Sequence, residues 1–162
     1  MTTTARPGPS RLFLYLFVFV GAALAINGAI FATGAIRWSR TLVNPSWSPP
    51  GPVIGAVWVV LFAFMAGAAF VIDRRAVPAR ARPARVALIA QWLLNMSWTP
   101  LYFGLRNVPN GFYVTVAAWL LCLVTLTFAA RATALAAALV APLFGWLTFA
   151  LALSWTTWQL NP

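Results

Sequence analysis

Gln91-Trp92-Leu93-Leu94-Asn95-Met96-Ser97-Trp98-Thr99-Pro100-Leu101-Tyr102-Phe103-Gly104 carries no charge, yet it holds an amide pair, two indoles, two aliphatic hydroxyls and a proline. Hydrocarbon penalises such groups unless they find partners, so they are expected to face protein and not lipid. On a helix of about 3.6 residues per turn, Gln91, Asn95, Trp98 and Tyr102 form one continuous polar and aromatic stripe. That stripe is either a helix-packing seam or the wall of a ligand pocket. Pro100 has no N–H and its ring opposes the carbonyl of Met96, so a bend is expected there that frees this carbonyl. A bend beside a polar stripe is a natural place for a cavity.

Outside this stretch the composition decides the class. Of 162 residues, 62% are hydrophobic and 7% charged, with nine Trp and twelve Phe. A soluble domain carries roughly a quarter charged residues, so a water-facing surface cannot be built from this chain, and an integral membrane protein is expected. All charged residues fall between or outside the apolar runs. The net charge of +10 therefore describes loops beside anionic headgroups, and nucleic acid is not an expected partner. The lone Cys122 excludes an intrachain disulfide, and the absence of His removes the commonest metal ligand and general base.

Read in order, residues 1–10 are polar, rich in Thr and Pro, and are expected to form a disordered arm. The remainder, 11–162, is expected to be a single domain with transmembrane helices at about 12–36, 52–72, 86–105, 111–130 and 132–160, joined by an aromatic and proline-rich loop at 37–51. The first run continues well past Ala23-Leu24-Ala25, which favours an uncleaved helix over a signal peptide. Asp73 to Arg85, with Pro78 and Pro83, reads as an extended basic loop, and Asn107 to Gly111 as a turn. Pro142 is expected to bend the last helix. Ala84, Ala87 and Ala90 repeat a small side chain along the third helix and suggest close approach of a second copy. With five spans, the arm, the Asp73–Arg85 loop and Arg131 share one side and carry eight arginines, against three on the other, which predicts a cytoplasmic N-terminus.

The motifs resemble those of the TspO/MBR family, the tryptophan-rich sensory proteins and translocator proteins, also called peripheral benzodiazepine receptors. The family's loop pattern Trp-Tyr-x-x-Leu-x-Lys-Pro-x-Trp-x-Pro-Pro is matched in register by Trp38, Leu42, Pro45, Trp47, Pro49 and Pro50, with Ser39 for Tyr and Asn44 for Lys. A Trp-Thr-x-Leu-Tyr pattern is met by Trp58, Leu61 and Phe62. Leu-Asn-x-x-Trp-Ser/Thr is met by Leu94, Asn95, Trp98 and Thr99, followed by Phe103-Gly104. The fifth run supplies Pro142, Trp146, Phe149, Ala150, Leu153 and the closing Leu160-Asn161.

The resemblance implies an all-α membrane bundle of five transmembrane helices, usually a homodimer, with a pocket under the first loop for flat apolar ligands such as porphyrins or haem. No cofactor is required. Residues expected to line the pocket are Trp38, Trp47, Pro49, Ile54, Trp58, Phe62, Asn95, Trp98, Leu101, Trp146, Ala150 and Leu153. The implied function is a membrane receptor or sensor. An enzyme that degrades porphyrin in light, with Trp58 and Trp146 as oxidisable side chains, is the alternative, and a transporter of porphyrin or sterol-like molecules the second. Without His or an intramembrane carboxylate, acid–base and metal catalysis are disfavoured. The family's sterol motif is missing, because Ser154 to Pro162 contains neither Tyr nor a basic residue.

Overall fold

The computed structural model describes residues 9–162. Among them there is no strand. The helices are α1 (Pro9–Leu16), a π turn (Phe17–Gly21), α2 (Ala22–Ala32), α3 (Ala35–Ser39), α4 (Gly51–Arg75), α5 (Pro78–Thr99), a second π turn (Pro100–Gly104), α6 (Val108–Ala132) and α7 (Ala134–Leu160). α1, its π turn and α2 make one continuous rod, and α5 runs on into the second π turn. Positions 1–8, most of the expected arm, lie outside the described residues.

Four rods are long and apolar enough to cross a membrane: Ser10–Ala32, Gly51–Arg75, Val108–Ala132 and Ala134–Leu160. The sequence reading expected a fifth at 86–105. A helix is there, but it starts at Pro78 and takes in Arg80, Arg82 and Arg85 before the polar Gln91 and Asn95, which lowers its hydropathy below that of the other four. The basic segment expected to be extended is thus largely helical. Ala and Arg are good helix formers, and Pro78 occupies a first-turn position where its missing N–H costs nothing.

Other boundaries shift for local reasons. The first rod stops at Ala32 because Gly34 takes a left-handed backbone (φ 83°), which glycine adopts at no steric cost, and the chain restarts as α3. The expected turn at Asn107–Gly111 is instead the start of α6: Asn107 is its N-cap and accepts the Asn110 N–H at 2.9 Å. α7 continues through Pro142. At Pro100 the helix widens into the π turn, closed by the Leu105 N–H on the Pro100 carbonyl at 3.0 Å.

α6 packs along both α5 and α7, while α4 packs along α7 and α1. Burial along α4 changes halfway. From Gly51 to Val60 every residue is at least partly exposed, whereas Leu61, Phe62, Met65, Ala66, Ala68, Ala69 and Ile72 are buried. The small side chains of the second half let neighbouring helices approach closely. Ala84 and Ala87, expected to face a second copy, are buried within the protomer, and the Thr125 hydroxyl donates to the Ala87 carbonyl at 3.3 Å.

Polar links tie the rods together. The Trp92 indole donates to the Phe19 carbonyl in the first π turn at 3.1 Å, and Thr99 Oγ1 donates to Asn27 Oδ1 at 2.6 Å. Asp73, the chain's one acid, receives Arg11 at 3.2 Å, Arg85 at 3.0 Å and the Tyr15 hydroxyl, joining α1, α4 and α5 at the arginine-rich end.

Candidate functional site

Two aromatic regions emerge from the residues singled out in the sequence. The first is the α5 stripe. Gln91 is wholly buried and donates through Nε2 to Asn95 Oδ1 and to the Ala118 carbonyl, both at 3.2 Å. Trp98 Nε1 donates to the Gly111 carbonyl and to Thr115 Oγ1, both at 3.1 Å. The Trp98 ring stacks on Tyr102 with centroids 4.5 Å apart. Their Gly111 neighbour is a true close approach: a Cβ there would lie 3.0 Å from Tyr102 Cε2 and closer still to Cδ2. These contacts pack the stripe against α6. Gln91 Oε1 and Asn95 Nδ2 are its only buried side-chain polar atoms left without a partner among the described residues.

The second region lies across the bundle, where the exposed first half of α4 meets α7. A groove of about 510 Å3 opens here. α4 contributes Ala56, Val57, Val60, Leu61 and Phe64, and α7 contributes Pro142, Gly145, Trp146 and Phe149. The volume is that of a small-molecule site. Rings run alongside it as a ladder: Trp47 meets Phe149 at 5.7 Å, Phe149 meets Trp146 at 5.2 Å, Trp146 meets Trp58 at 6.4 Å and edge-on, and Trp58 stacks on Phe62 at 5.4 Å. Trp146 Nε1 is buried and has no hydrogen-bond partner among the described residues. An indole N–H left unpaired in an apolar setting is costly, and this one is an unanswered donor in the groove wall.

The loop covers this end of the bundle. Trp47 is the rung of the ladder it supplies, and Trp38 on α3 sits edge-on to Tyr102 at 5.4 Å and Phe103 at 6.5 Å. Asn161 fastens the loop to the end of α7. Its Oδ1 accepts the Val43 N–H at 3.0 Å, while Nδ2 donates to the Val43 carbonyl at 2.9 Å and to the Thr157 carbonyl at 2.7 Å.

A bundle of long apolar rods, a Trp- and Pro-rich loop fastened over one end and an aromatic ladder beneath it narrow the choice of family, and the chain matches the TspO/MBR family over residues 14–159. The chain belongs to that family. It is 33% identical over 153 residues to protein CrtK of Rhodobacter capsulatus, covering 93% of this chain and 94% of that one. It is 31% identical over 157 residues to the tryptophan-rich protein TspO of Chlorobaculum tepidum, covering 94% and 99%. It is 30% identical over 153 residues to the human translocator protein, covering 83% and 81%. Family membership together with four apolar rods makes this TspO/MBR chain a multi-pass integral membrane protein.

The residues singled out as pocket lining divide between the two regions. Trp47, Trp58, Phe62 and Trp146 come together in the ladder, and of these Trp146 borders the groove itself. Ala150 and Leu153 follow on α7, half-buried, and Ile54 stands half-buried on the first turns of α4, as does Pro49 in the loop. Asn95 and Trp98 belong to the seam with α6, and Trp38 and the half-buried Leu101 to the π-turn end of α5. Sequence reasoning matched Phe149 to the family's motif without placing it in the pocket, and passed over Gly145 and Ala56. The signal was present in the spacing of Phe149, three residues after Trp146, and in the small residues Ala56 and Gly145, at which side-chain volume is missing from two facing helices.

Proposed function

We propose that this protein is a membrane receptor or sensor that takes a flat apolar ligand, a tetrapyrrole such as a porphyrin, into the α4–α7 groove beneath the 37–51 loop. The observation that carries this reading is the unpartnered Trp146 N–H beside an apolar groove flanked by aromatic rings. A tetrapyrrole needs an apolar slot, ring faces or edges to pack on and a few donors for its polar rim, and haem or porphyrin would be a ligand and not a required cofactor. Arg37 and Arg40 are exposed in the 37–51 segment and suit the propionates of a ligand that reaches it. In the same reading α5 is a fifth membrane pass, its polar groups turned to α6 and its exposed Val86, Ile89 and Leu93 to lipid or to a second copy in a homodimer. The arginine-rich end then lies in the cytoplasm.

A light-dependent degradation of the bound porphyrin is the second reading, favoured by the edge-on contact of Trp58 with Trp146, which sets two oxidisable indoles side by side. Titrating the purified protein with protoporphyrin tests the first reading. Saturable quenching of Trp fluorescence with a stable porphyrin spectrum in the dark is expected; absence of saturation overturns it. Illumination separates the two readings, since only turnover bleaches the porphyrin bands faster with protein than with detergent alone.

A further inference from the structure

We propose that the end of α4 carries a site for an anionic glycerophospholipid, its phosphate held by Arg74 and Arg75 and its acyl chain laid over Phe70 and Val71. A hollow of about 300 Å3 is lined by these four residues. Phe70 and Arg74 are one helical turn apart, as are Val71 and Arg75, so the hollow is apolar toward the middle of the bundle and cationic at its end. The Arg74 guanidinium lies 5.5 Å from the Phe70 ring centre, so the cation is held against the hollow's aromatic wall.

The charge balance of the whole chain points to an external anion. There are eleven arginines and a single acidic residue. Asp73 is adjacent in sequence to Arg74, but its carboxylate, 2% exposed, is already engaged by Arg11 at 3.2 Å, Arg85 at 3.0 Å and the Tyr15 hydroxyl. Arg80 turns to the Arg131 carbonyl at 3.2 Å. Arg74 and Arg75, both exposed, therefore have no carboxylate side chain left to pair with. A guanidinium fork fits a phosphate in two-point fashion, and basic side chains next to a membrane span draw anionic headgroups. The apolar half of the hollow selects a lipid over free phosphate.

The test uses the full chain in neutral detergent, with bound lipid counted by native mass spectrometry. Phosphatidylglycerol is expected to be retained roughly tenfold more than phosphatidylcholine, and Arg74→Gln/Arg75→Gln to abolish the difference. Arg82→Gln/Arg131→Gln removes equal charge from the same end and should leave the preference intact. An equal loss in both double variants would mean diffuse attraction and overturn the site. Competition by inorganic phosphate as effective as that by phosphatidylglycerol would also overturn it, leaving an adventitious anion site. Arg74→Lys/Arg75→Lys keeps the charge but loses the fork and should lose much of the preference; full retention would mean that charge alone attracts the lipid and would overturn two-point phosphate recognition. Thermal unfolding of each variant establishes that both exposed arginines are replaced in a folded protein.

Discussion

Trp98 and Trp146 are both half-buried indoles in helices of one bundle, but the first donates to two oxygens and the second to none. Around Trp98 the neighbours are tight: Tyr102 stacks on it and Gly111 leaves no room for a side chain. Around Trp146 they are loose: Gly145 has nothing within 4 Å of where its Cβ would be, and the facing half of α4 is exposed. The contrast separates two uses of the same residue type. The Trp that holds helices together has its N–H answered by the protein, whereas the one in the groove wall has a buried N–H that no protein oxygen answers.

The glycines give the largest expected difference between the two regions. Gly111→Ala drives a methyl into a Tyr102 ring that is pinned between Trp98, Trp38 and Phe103, so it should cost about 1–3 kcal/mol. Gly145→Ala meets open space in a helix interior, where Ala is favoured over Gly by roughly 0.5–1 kcal/mol. Thermal unfolding in detergent should fall for the first and hold or rise for the second. Equal melting temperatures would mean that the seam is no tighter than the groove.

Next come the two indoles. Trp98→Phe keeps a ring but removes a donor shared by Gly111 and Thr115, and a loss of about 1 kcal/mol in stability with ligand affinity unchanged is expected. Trp146→Leu should do the opposite, weakening porphyrin binding several-fold, on the order of 1 kcal/mol, at nearly constant stability. Trp119→Leu is the control, because its indole donates to Thr148 at 3.0 Å on the α6–α7 contact and borders no part of the groove. If porphyrin titrations find Trp119→Leu as damaging as Trp146→Leu, the ligand lies elsewhere.

The seam could be read from the sequence because polar groups at helical spacing inside an apolar run must turn toward protein, and Gln91, Asn95, Trp98 and Tyr102 do. The helix it packs against could not. That depended on Ala118, Gly111 and Thr115 supplying oxygens from a helix distant in sequence, and no periodicity in α5 encodes them. The groove was half legible. Trp58 and Trp146 stood out by type, but the space between the helices is made by what is absent, at Ala56 and Gly145, and absence leaves no chemical signature in one sequence. The Arg80–Arg85 helix was hidden for another reason: two prolines suggested extension, yet one sits at the first turn and the other, Pro83, is accommodated inside α5.

The smallest expected effect falls on the loop whose Trp47 packs on Phe149 at the groove's edge. Asn161 makes three hydrogen bonds, two to Val43 and one to Thr157, but it lies near the surface at the end of α7, where water can replace them. Asn161→Ala should therefore cost well under the roughly 1 kcal/mol of a typical bond, and the melting temperature should barely move. Its effect is on the loop's freedom. Val43 is exposed, and the loop's other anchors are ring contacts of Trp38 with Tyr102 and Phe103 and of Trp47 with Phe149. Without the Asn161 clip the Val43 amide should exchange hydrogen several-fold faster, and a groove ligand should leave faster because its cover opens more often. Hydrogen-exchange mass spectrometry over residues 40–50 reads the first effect, and porphyrin dissociation in stopped flow the second. Faster exchange with unchanged dissociation would mean that the ligand does not pass beneath the loop, and would move its entry to the side of the groove between α4 and α7.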